Sequence, residues 1–522
     1  MNKHVVKRIC LWVALLVSPL LANTTFAATT YSFSLLGTDA PCTGVWSSSG
    51  NTFTCTGEVD LAAGDSLVVG TLIAGNITVV ATQGFSLDTN TIGASSNTVA
   101  LVSVAGVITV AGTNSTFSAS ISSTDGAINL LNATVAGSVQ TTNGTMTLIG
   151  GAITGNAQAG GAITAASTHV NGNVISTTGA STLAAVSVGG YVQTLGTILL
   201  KTGSAVTGTV TSRAGAITFT DSSVGGDVLG YGAVTSTNTP MKANLTSSTG
   251  AITIVGGSIT GAIVAQGAIT STGAPVGGNV TSNAGAITLT AGSIGGDIQA
   301  FGVITMTDTP ITGNMTSTQA AITLVRGSVS GNVVAAAVIT TTDTCIGGNA
   351  QAGAAMTLTR TSVGISALSQ AAMTLTASSI IADALSGAAL TATDTCVGGT
   401  TRAVGALTIT GGCDTSPAHT SCAAPAPVAP VALVDHFAFS YAGAALTCNP
   451  QPITITACAD ANCSLFANPV SVALSPASGW TAASPAVMNG NTITFTFSGG
   501  SAQAYLSNTS VGNVSLGVNS SI

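Results

Sequence analysis

Short alternations of apolar and polar residues recur along most of the chain. Between residues 285 and 300, Ile287 and Leu289 occupy alternate positions. Thr288 and Thr290 fill the positions beside them, and glycine-rich corners follow. Alternation with a period of two predicts short strands that turn one face inward. Since Gly, Asn and Asp suit the corners between such strands, we predict a fold built from short strands rather than helices.

A four-residue signature repeats through the middle of the chain, with two small residues, an apolar residue and usually Thr. Its 17 copies begin at residues 126, 144, 161, 179, 196, 215, 232, 250, 267, 285, 302, 320, 337, 354, 371, 388 and 405. A fixed period of about 17–18 residues predicts a solenoid. With three short strands in each coil, the stacked coils form a long parallel β-helix around Ile, Val, Leu and Met. At about 4.8 Å per coil, the rod is on the order of 80 Å long.

Composition and charge narrow the range of functions. Only 5% of the 522 residues are charged, and the formal net charge is −7. Without the first 27 residues, six Lys and Arg stand against 16 acidic residues, which gives a net charge of −10. Because no basic patch is present, nucleic acid is not an expected partner. Low charge with abundant Thr, Ser, Gly and Ala is typical of extracellular β-rich surface proteins.

Residues 1–27 have the pattern of a signal peptide. Three basic residues precede an apolar run from 9 to 22, and Ala27 offers a small residue for cleavage. Nothing later reaches 18 consecutive apolar residues, so we expect no transmembrane segment in the mature chain. The mature protein is therefore expected in the periplasm, on the outer-membrane surface or outside the cell.

The rest of the chain divides into four regions. Residues 28–105 are expected to form an N-terminal cap and the first irregular coils, and residues 106–415 the regular β-helix. Residues 416–434 are rich in Pro and Ala, which indicates a semi-rigid linker. Residues 435–522 contain longer alternating strands separated by turn signals, which predicts a small immunoglobulin-like β-sandwich. The predicted fold class is therefore all-β throughout.

Seven cysteines are candidates for disulfides in an oxidising compartment. Cys42 and Cys55 flank a turn-rich piece, which favours a local bond. Cys396 and Cys413 occupy the same position in consecutive coils, so their α-carbons should lie about 5 Å apart, within disulfide range. The other candidates, whose connectivity stays open, are Cys448, Cys458 and Cys463.

The C-terminal region also carries a resemblance. Asp435-His436-Phe437 is followed by Cys448, Cys458 and Cys463, and then by Trp480. This stretch resembles the sandwich module of MshQ-type proteins, from the biogenesis locus of the mannose-sensitive haemagglutinin (MSHA) type IV pilus. The resemblance implies a large envelope or surface protein without assigned catalysis. Such proteins continue beyond this module, so the chain resembles a shortened or truncated member. The repeats resemble bactofilin-type β-helix coils, which polymerise end to end, in architecture and period only.

Threonine forms the most regular polar pattern on the predicted rod. The fourth signature residue is Thr in twelve consecutive coils, and a second Thr follows two positions later in ten of them. Both sets point outward and form two ranks about 7 Å apart. Since β-branched residues suit exposed strands, the main interpretation is structural. Thr-x-Thr arrays also resemble those of insect antifreeze proteins, so an ice-binding face is the alternative. The candidate binding face comprises Thr288, Thr290, Thr305, Thr307, Thr340, Thr342, Thr357 and Thr359.

A second polar row lies twelve residues after the signature starts. Asn at a corner can hydrogen-bond to its neighbours and tolerates unusual backbone dihedrals, so we predict a corner-stabilising ladder. Calcium binding is the alternative, but the acidic members are rarely on adjacent coils. The row comprises Asp227, Asn244, Asn279, Asp297, Asn314, Asn332, Asn349 and Asp383.

Catalytic constellations are not evident in the sequence. Asp308 and Asp343 share an angular position two coils apart, near 10 Å by the coil spacing, and no Lys or Arg is expected beside them. The histidines His169, His419 and His436 lie in three different regions, so they assemble neither a metal triad nor a Ser/His/Asp set. We predict a non-enzymatic protein without a cofactor or metal.

These patterns lead to one main expectation and two alternatives. The main one is an exported surface or pilus-associated structural or adhesin-like protein of MshQ type, involved in MSHA-type pilus biogenesis or adhesion. Its expected partners are pilus or cell-envelope components, with host or surface glycans as further candidates. The first alternative is an ice-binding protein. The second is a self-assembling β-helical scaffold, which needs exposed apolar rod ends. The predicted N-terminal cap and C-terminal sandwich argue against such ends.

Overall fold

The computed structural model describes most of the chain before residue 413 and parts of it afterwards. The described residues are 28–34, 37–70, 73, 75–112, 114–412, 436–441, 450–458, 463–465, 472–475, 479–482, 487–489, 492–494, 501–507 and 516–521. The predicted signal peptide and the predicted linker therefore lie outside the described residues.

Every regular element in the described residues is a β-strand. A parallel β-solenoid of about 18 turns spans residues 77–410, which confirms the predicted parallel β-helix. A regular coil contains a four-residue strand such as Ile287–Thr290, a two-residue strand such as Ser293–Ile294 and a three-residue strand such as Ile298–Ala300. Stacking places each type in its own sheet. We name the sheets the four-residue, two-residue and three-residue faces.

Each face is a stack of strands from successive coils, and the strands of the first coils differ in length from those of the regular repeats. The four-residue face consists of Val59–Leu61, Phe85–Leu87, Ile108–Val110, Ile128–Leu131, Met146–Ile149, Ile163–Ala166, Ser181–Ala184, Ile198–Lys201, Ile217–Thr220, Val234–Thr237, Ile252–Val255, Ile269–Thr272, Ile287–Thr290, Ile304–Thr307, Ile322–Val325, Ile339–Thr342, Met356–Thr359, Met373–Thr376, Leu390–Thr393 and Leu407–Thr410. The two-residue face consists of Thr30–Phe33, Ser66–Val69, Thr91–Ile92, Thr116–Phe117, Thr134–Val135, Ala152–Ile153, His169–Val170, Ser187–Val188, Ala205–Val206, Ser223–Val224, Pro240–Met241, Ser258–Ile259, Pro275–Val276, Ser293–Ile294, Pro310–Ile311, Ser328–Val329, Cys345–Ile346, Ser362–Val363, Ser379–Ile380 and Cys396–Val397. The three-residue face consists of Trp46–Ser49, Thr52–Cys55, Ile77–Ala81, Val99–Ser103, Ile121–Ser123, Val139–Thr141, Ala157–Ala159, Val174–Ser176, Val192–Thr194, Val210–Ser212, Val228–Gly230, Leu245–Ser247, Ile263–Ala265, Val280–Ser282, Ile298–Ala300, Met315–Ser317, Val333–Ala335, Ala350–Ala352, Ala367–Ser369, Ala384–Ser386 and Thr401–Ala403.

One hydrophobic core runs along the rod axis. Ile287 pairs with Ile304 in the next coil, and Leu289 pairs with Met306. All four side chains are buried, as the period-two alternation predicts. The buried cluster continues without interruption from Phe33 to Ala392. Each coil therefore buries its apolar residues against the coils before and after it.

The N-terminal end of the rod has a different construction. Trp46–Ser49 and Thr52–Cys55 pair as an antiparallel hairpin, and the second strand then pairs in parallel with Ile77–Ala81. Phe33 contacts the ring of Trp46 edge-on. Cys42 and Cys55 form a disulfide with α-carbons 5.9 Å apart, which confirms the predicted local bond.

The C-terminal region forms small antiparallel sheets. A four-stranded sheet has the order His436–Ser440, Gln451–Cys458, Ser501–Leu506 and Trp480–Ala482. Two further strand pairs join Val472–Ser475 with Gly517–Ser521, and Val487–Asn489 with Thr492–Thr494. The antiparallel pairing agrees with the expected all-β module, whereas its immunoglobulin-like topology stays a prediction. Within the described residues, no helix has the length and apolar character needed to span a membrane.

Candidate functional site

The predicted threonine ranks are present on the four-residue face. Thr288 pairs with Thr305 of the next coil, and Thr290 pairs with Thr307. Thr288 is exposed, whereas the other three are partly exposed. Because outward residues alternate with buried ones, the two ranks lie about 7 Å apart, with about 4.8 Å between coils.

The same register brings the other candidate threonines together. Thr340 pairs with Thr357, and Thr342 pairs with Thr359. Val255 interrupts the second rank and is 47% exposed. The face is therefore regular but not uniformly polar. Whether it binds a ligand stays a prediction, because stacked β-branched side chains are also well suited to an exposed strand.

The Asn and Asp row forms a hydrogen-bonded ladder at the corner before each three-residue strand. Asp297 Oδ1 accepts from the backbone N–H of Asn314 at 2.7 Å and from its Nδ2 at 3.1 Å. Asn314 Oδ1 accepts from the N–H of Asn332 at 2.9 Å, and Asn332 Oδ1 from that of Asn349 at 2.8 Å. The predicted corner-stabilising ladder is therefore confirmed. In each of these residues Oδ1 accepts a backbone N–H from the next coil, which fixes the corner.

Buried serines stabilise the corner at the other end of the three-residue strand. Ser282 Oγ donates to the carbonyl of Gly267 at 2.8 Å and accepts the N–H of Gly285 at 3.0 Å. Thr141 makes the same two bonds with glycines in earlier coils. This row was not predicted from the sequence. Its signal was a Ser or Thr three residues before a signature start, where inward residues are otherwise apolar.

An ion-pair row contradicts one expectation from the sequence. Arg326 lies on the coil between Asp308 and Asp343, and Arg360 lies on the coil after them. Arg326 Nε is 2.8 Å from Asp308 Oδ1, and its Nη2 is 2.9 Å from Oδ2. Arg360 holds Asp343 in the same two-pronged manner. The expectation that no Arg lies beside these aspartates was wrong, although all four residues are six positions after a signature start.

The ion-pair row is marked by shifted pKa values and by an unusual backbone conformation. The hydrogen bond from Arg326 lowers the pKa of Asp308, and that from Arg360 lowers the pKa of Asp343. All four residues adopt left-handed backbone conformations, with φ between 47° and 54°, which favour Asp over Arg. Since both carboxylates are ionised and engaged by guanidinium groups, they do not form the raised-pKa acid pair that a glycosidase needs. The expected lack of enzymatic activity stays a prediction.

The histidines do not converge among the described residues. The His169 ring on the two-residue face contacts the Ser187 hydroxyl, and His419 lies outside the described residues. His436 lies near Cys458 and Cys463, with ligand atoms within 4.8 Å of one another. However, those two sulfurs form a disulfide. Because metals bind the thiolate form of cysteine, the oxidised pair does not supply metal ligands.

The remaining disulfide candidates are only partly described. Cys396 is disulfide-bonded, but its predicted partner Cys413 lies outside the described residues, as does Cys448. Cys345 is also disulfide-bonded. Cys396 lies three coils after Cys345, which is a separation of about 14 Å at about 4.8 Å per coil. The two cysteines are therefore not bonded to each other.

A shallow groove on the three-residue face was not predicted from the sequence. Its volume is about 380 Å³, and Leu368 and Leu385 line it between Gln351 and Arg402. These four residues are the outward middle positions of consecutive strands. The signal was leucine at this outward position in two consecutive coils. An apolar floor with amide and guanidinium groups at its ends suits an amphipathic ligand.

Comparisons with known proteins found a match only in the C-terminal region. No curated protein and no solved structure matches the chain. Residues 434–522 match a domain of unknown function (DUF8613), which begins within one residue of the predicted sandwich. The resemblance to MshQ-type proteins stays a prediction. The C-terminal region of this chain is thus similar to an uncharacterised domain family, and the β-solenoid before it lies outside that match.

Proposed function

We propose that this chain is an exported, non-enzymatic rod of the bacterial cell envelope, which displays adhesive surfaces in association with a pilus of the MSHA type. The observation that carries the proposal is the uninterrupted core, which runs from Phe33 to Ala392 in one stack of coils. A stack of this kind is long and stiff because every coil is fixed by its two neighbours. Stiffness along one axis suits a spacer that holds a binding surface away from the cell.

The corner networks support a role outside the cell. The bond between Asn314 and Asn332 and the bond between Ser282 and Gly267 use neutral groups, so salt and pH change their strength little. In the part of the chain that the structure describes, ion pairs contribute at few corners, and the Asp308–Arg326 pair is exposed, where salt screens it. The rod therefore depends little on the ionic conditions of its surroundings.

Two surfaces support an adhesive role. The groove between Gln351 and Arg402 offers an apolar floor with hydrogen-bond donors at both ends, which is suited to the ring and hydroxyl groups of a glycan. The four-residue face adds stacked hydroxyl groups in register. These surfaces agree with glycans and envelope components as the expected partners.

A length series tests the spacer function. Residues 285–319 make up two complete coils, so their deletion joins equivalent positions and should leave a shorter folded rod. We expect adhesion of cells that carry this variant to fall below that of cells with the full chain, and to fall further when residues 250–319 are removed. Circular dichroism verifies folding. Adhesion that stays the same at every length would contradict a spacer, and retention of the protein in the cytoplasm would contradict export.

Ice binding is the second candidate function, because the paired threonine ranks extend over many coils in register. A flat array with regular spacing can order water in the arrangement of an ice surface. The test compares thermal hysteresis of the mature chain with that of a Thr288→Lys, Thr305→Lys, Thr323→Lys variant. Hysteresis that is lost in the variant would establish the threonine face as the functional site, and its absence in both would leave the ranks structural.

A matched control uses the adjacent side of the rod. Thr281, Gln299 and Thr316 are outward residues of consecutive strands on the three-residue face. Lys at these three positions adds the same charge without touching the threonine ranks. An ice-binding threonine face predicts that this control retains full hysteresis.

A further inference from the structure

Two cysteines on the two-residue face form disulfides that the described pairs do not account for. Cys345 and Cys396 are both disulfide-bonded, but they lie three coils apart and are not bonded to each other. The described pairs are Cys42–Cys55 and Cys458–Cys463. Once the predicted signal peptide is removed, the cysteines that remain as partners are Cys413, Cys422 and Cys448.

Distance along the rod assigns the partner of Cys396. Gly412 follows Leu407–Thr410, whose coil lies four coils after that of Cys345, a separation of about 19 Å. Cys413 is the next residue, so its α-carbon lies within about 3.8 Å of that of Gly412. Since bonded cysteines have α-carbons within about 7 Å of each other, Cys413 cannot reach Cys345. Cys396 lies one coil before Gly412 and is within its reach, as the repeat predicts.

The coils between the two bonded cysteines carry a second observation. Ser362 and Ser379 are the residues that stack between Cys345 and Cys396 on the two-residue face. Both serines have polar contacts outside the described residues. A segment that leaves the coil of Cys396 and returns to Cys345 passes both of them. The four stacked residues therefore form one continuous docking row, which we name the cysteine–serine row.

Residues 414–421 have the length and the side chains to cover this row. They join Cys413 to Cys422, a step of nine positions that extends up to about 30 Å. The path from the coil of Cys413 to that of Cys345 requires only about 19 Å. Six of the eight residues are Asp, Thr, Ser or His, which form hydrogen bonds. A bond from Cys345 to Cys448, by contrast, requires no segment beside the two serines.

We propose that Cys345 is bonded to Cys422, so that residues 414–421 cross the rod along the cysteine–serine row. The occupant of this surface is thus a segment of the same chain, fixed at one end by the Cys396–Cys413 bond and at the other by Cys345–Cys422. Because a cross-link between distant residues restricts the unfolded chain, the two bonds stabilise the last coils of the rod. Cys448 is then left as the one unpaired cysteine of the mature chain.

Peptide mapping without reduction tests this pairing. The mature chain is purified from an oxidising compartment, its free thiols are alkylated with N-ethylmaleimide, and it is digested with trypsin and a protease that cleaves before Asp. We expect the peptide with Cys345 to be linked to the peptide with Cys422, and Cys448 to be alkylated. The peptides that carry Cys345, Cys396, Cys413, Cys422 and Cys448 are 343–360, 394–402, 403–413, 414–434 and 435–459.

Three results of this mapping would overturn the proposal. They are a link from 343–360 to 435–459, a link between two copies of 343–360, and an alkylated Cys345. The Cys42–Cys55 bond within peptide 39–59 verifies that the sample is oxidised. Cys422→Ser should convert Cys345 completely from the linked to the alkylated form, whereas the matched variant Cys448→Ser should leave Cys345 linked.

A change of segment length tests the path along the row. Deletion of residues 415–421 leaves one residue between Cys413 and Cys422, a span of about 7 Å. At least about 12 Å is required to bring Cys422 within bonding distance of Cys345. The deletion should therefore abolish the Cys345–Cys422 link, and a Gly/Ser segment of the original length should restore it. A link that persists in the deletion variant would refute the path. None of these outcomes bears on the proposed adhesive function.

Discussion

Two buried serines eleven positions apart should respond differently to the same substitution. Ser282 and Ser271 are 2% and 3% exposed. Ser282 bonds to the backbones of Gly267 and Gly285. The Ser271 hydroxyl has no hydrogen-bond partner among the described residues, and it lies in the inward row with Leu289. The two serines are therefore buried to a similar extent but differ in their hydrogen bonds.

The expected magnitudes follow from those bonds. Ser282→Ala leaves one backbone donor and one acceptor without their partner, which should cost about 1–3 kcal/mol, since both glycines are partly exposed and water replaces part of the bonding. Ser271→Ala removes a buried hydroxyl that bonds to nothing, so stability should be unchanged or rise by up to about 1 kcal/mol. Ser282→Thr is the matched control, because Thr141 makes the equivalent bonds.

Hydrogen exchange measured by mass spectrometry is the suitable assay. A solenoid opens locally, coil by coil, so global unfolding curves need not be two-state. Ser282→Ala should lose protection by roughly 5- to 150-fold in the coils from 267 to 300, where about 1.4 kcal/mol corresponds to tenfold. Ser271→Ala should match or exceed the protection of the unmodified chain, and Ser282→Thr should match it. Equal loss of protection in both alanine variants would refute the assignment of the corner bonds as the stabilising contribution.

Three further predictions concern an ion pair, a core side chain and a disulfide. Because Arg326 lowers the pKa of Asp308 in the folded chain, this pair stabilises the fold above the unfolded pKa near 3.9, and the contribution is lost as pH falls through the folded pKa. Asp308→Asn should therefore reduce the slope of stability against pH below about pH 4 in acid titrations, and 1 M salt should shrink the difference. Ile304→Ala removes a fully buried side chain and should destabilise its coils by about 2–5 kcal/mol in the same exchange assay, whereas Ile304→Val should cost about 0.5–1.5 kcal/mol. Replacing Cys42 and Cys55 together by Ser should destabilise the N-terminal end by about 2–4 kcal/mol, and a dithiol reductant should have the same effect on the unmodified chain.

The repeat and the alternation predicted the solenoid because both are local properties of the sequence. Once Ile287 and Leu289 are assigned inward, the direction of Thr288 and Thr290 follows from the geometry of a strand. A coil of constant length then places each threonine on the next one, as the Thr288–Thr305 pair shows.

Contacts between coils were harder to predict because they depend on register rather than on sequence neighbours. Arg326 is 18 positions from Asp308, and the pair becomes evident only when every coil is aligned from its signature start. Ser282 was not predicted for a related reason, since its partner Gly267 lies on the backbone of the preceding coil and not beside it in the sequence.

The most direct test of a surface-displayed rod uses the lysines of the mature chain. Lys201 and Lys242 are the only two after residue 27, and both are exposed on the rod. A membrane-impermeant amine reagent is applied to intact cells, and labelled peptides are identified by mass spectrometry, with a Lys201→Arg, Lys242→Arg variant as the control for labelling elsewhere. The account predicts that both lysines are labelled on intact cells. Labelling of these lysines only after the cells are lysed would contradict display of the rod at the cell surface.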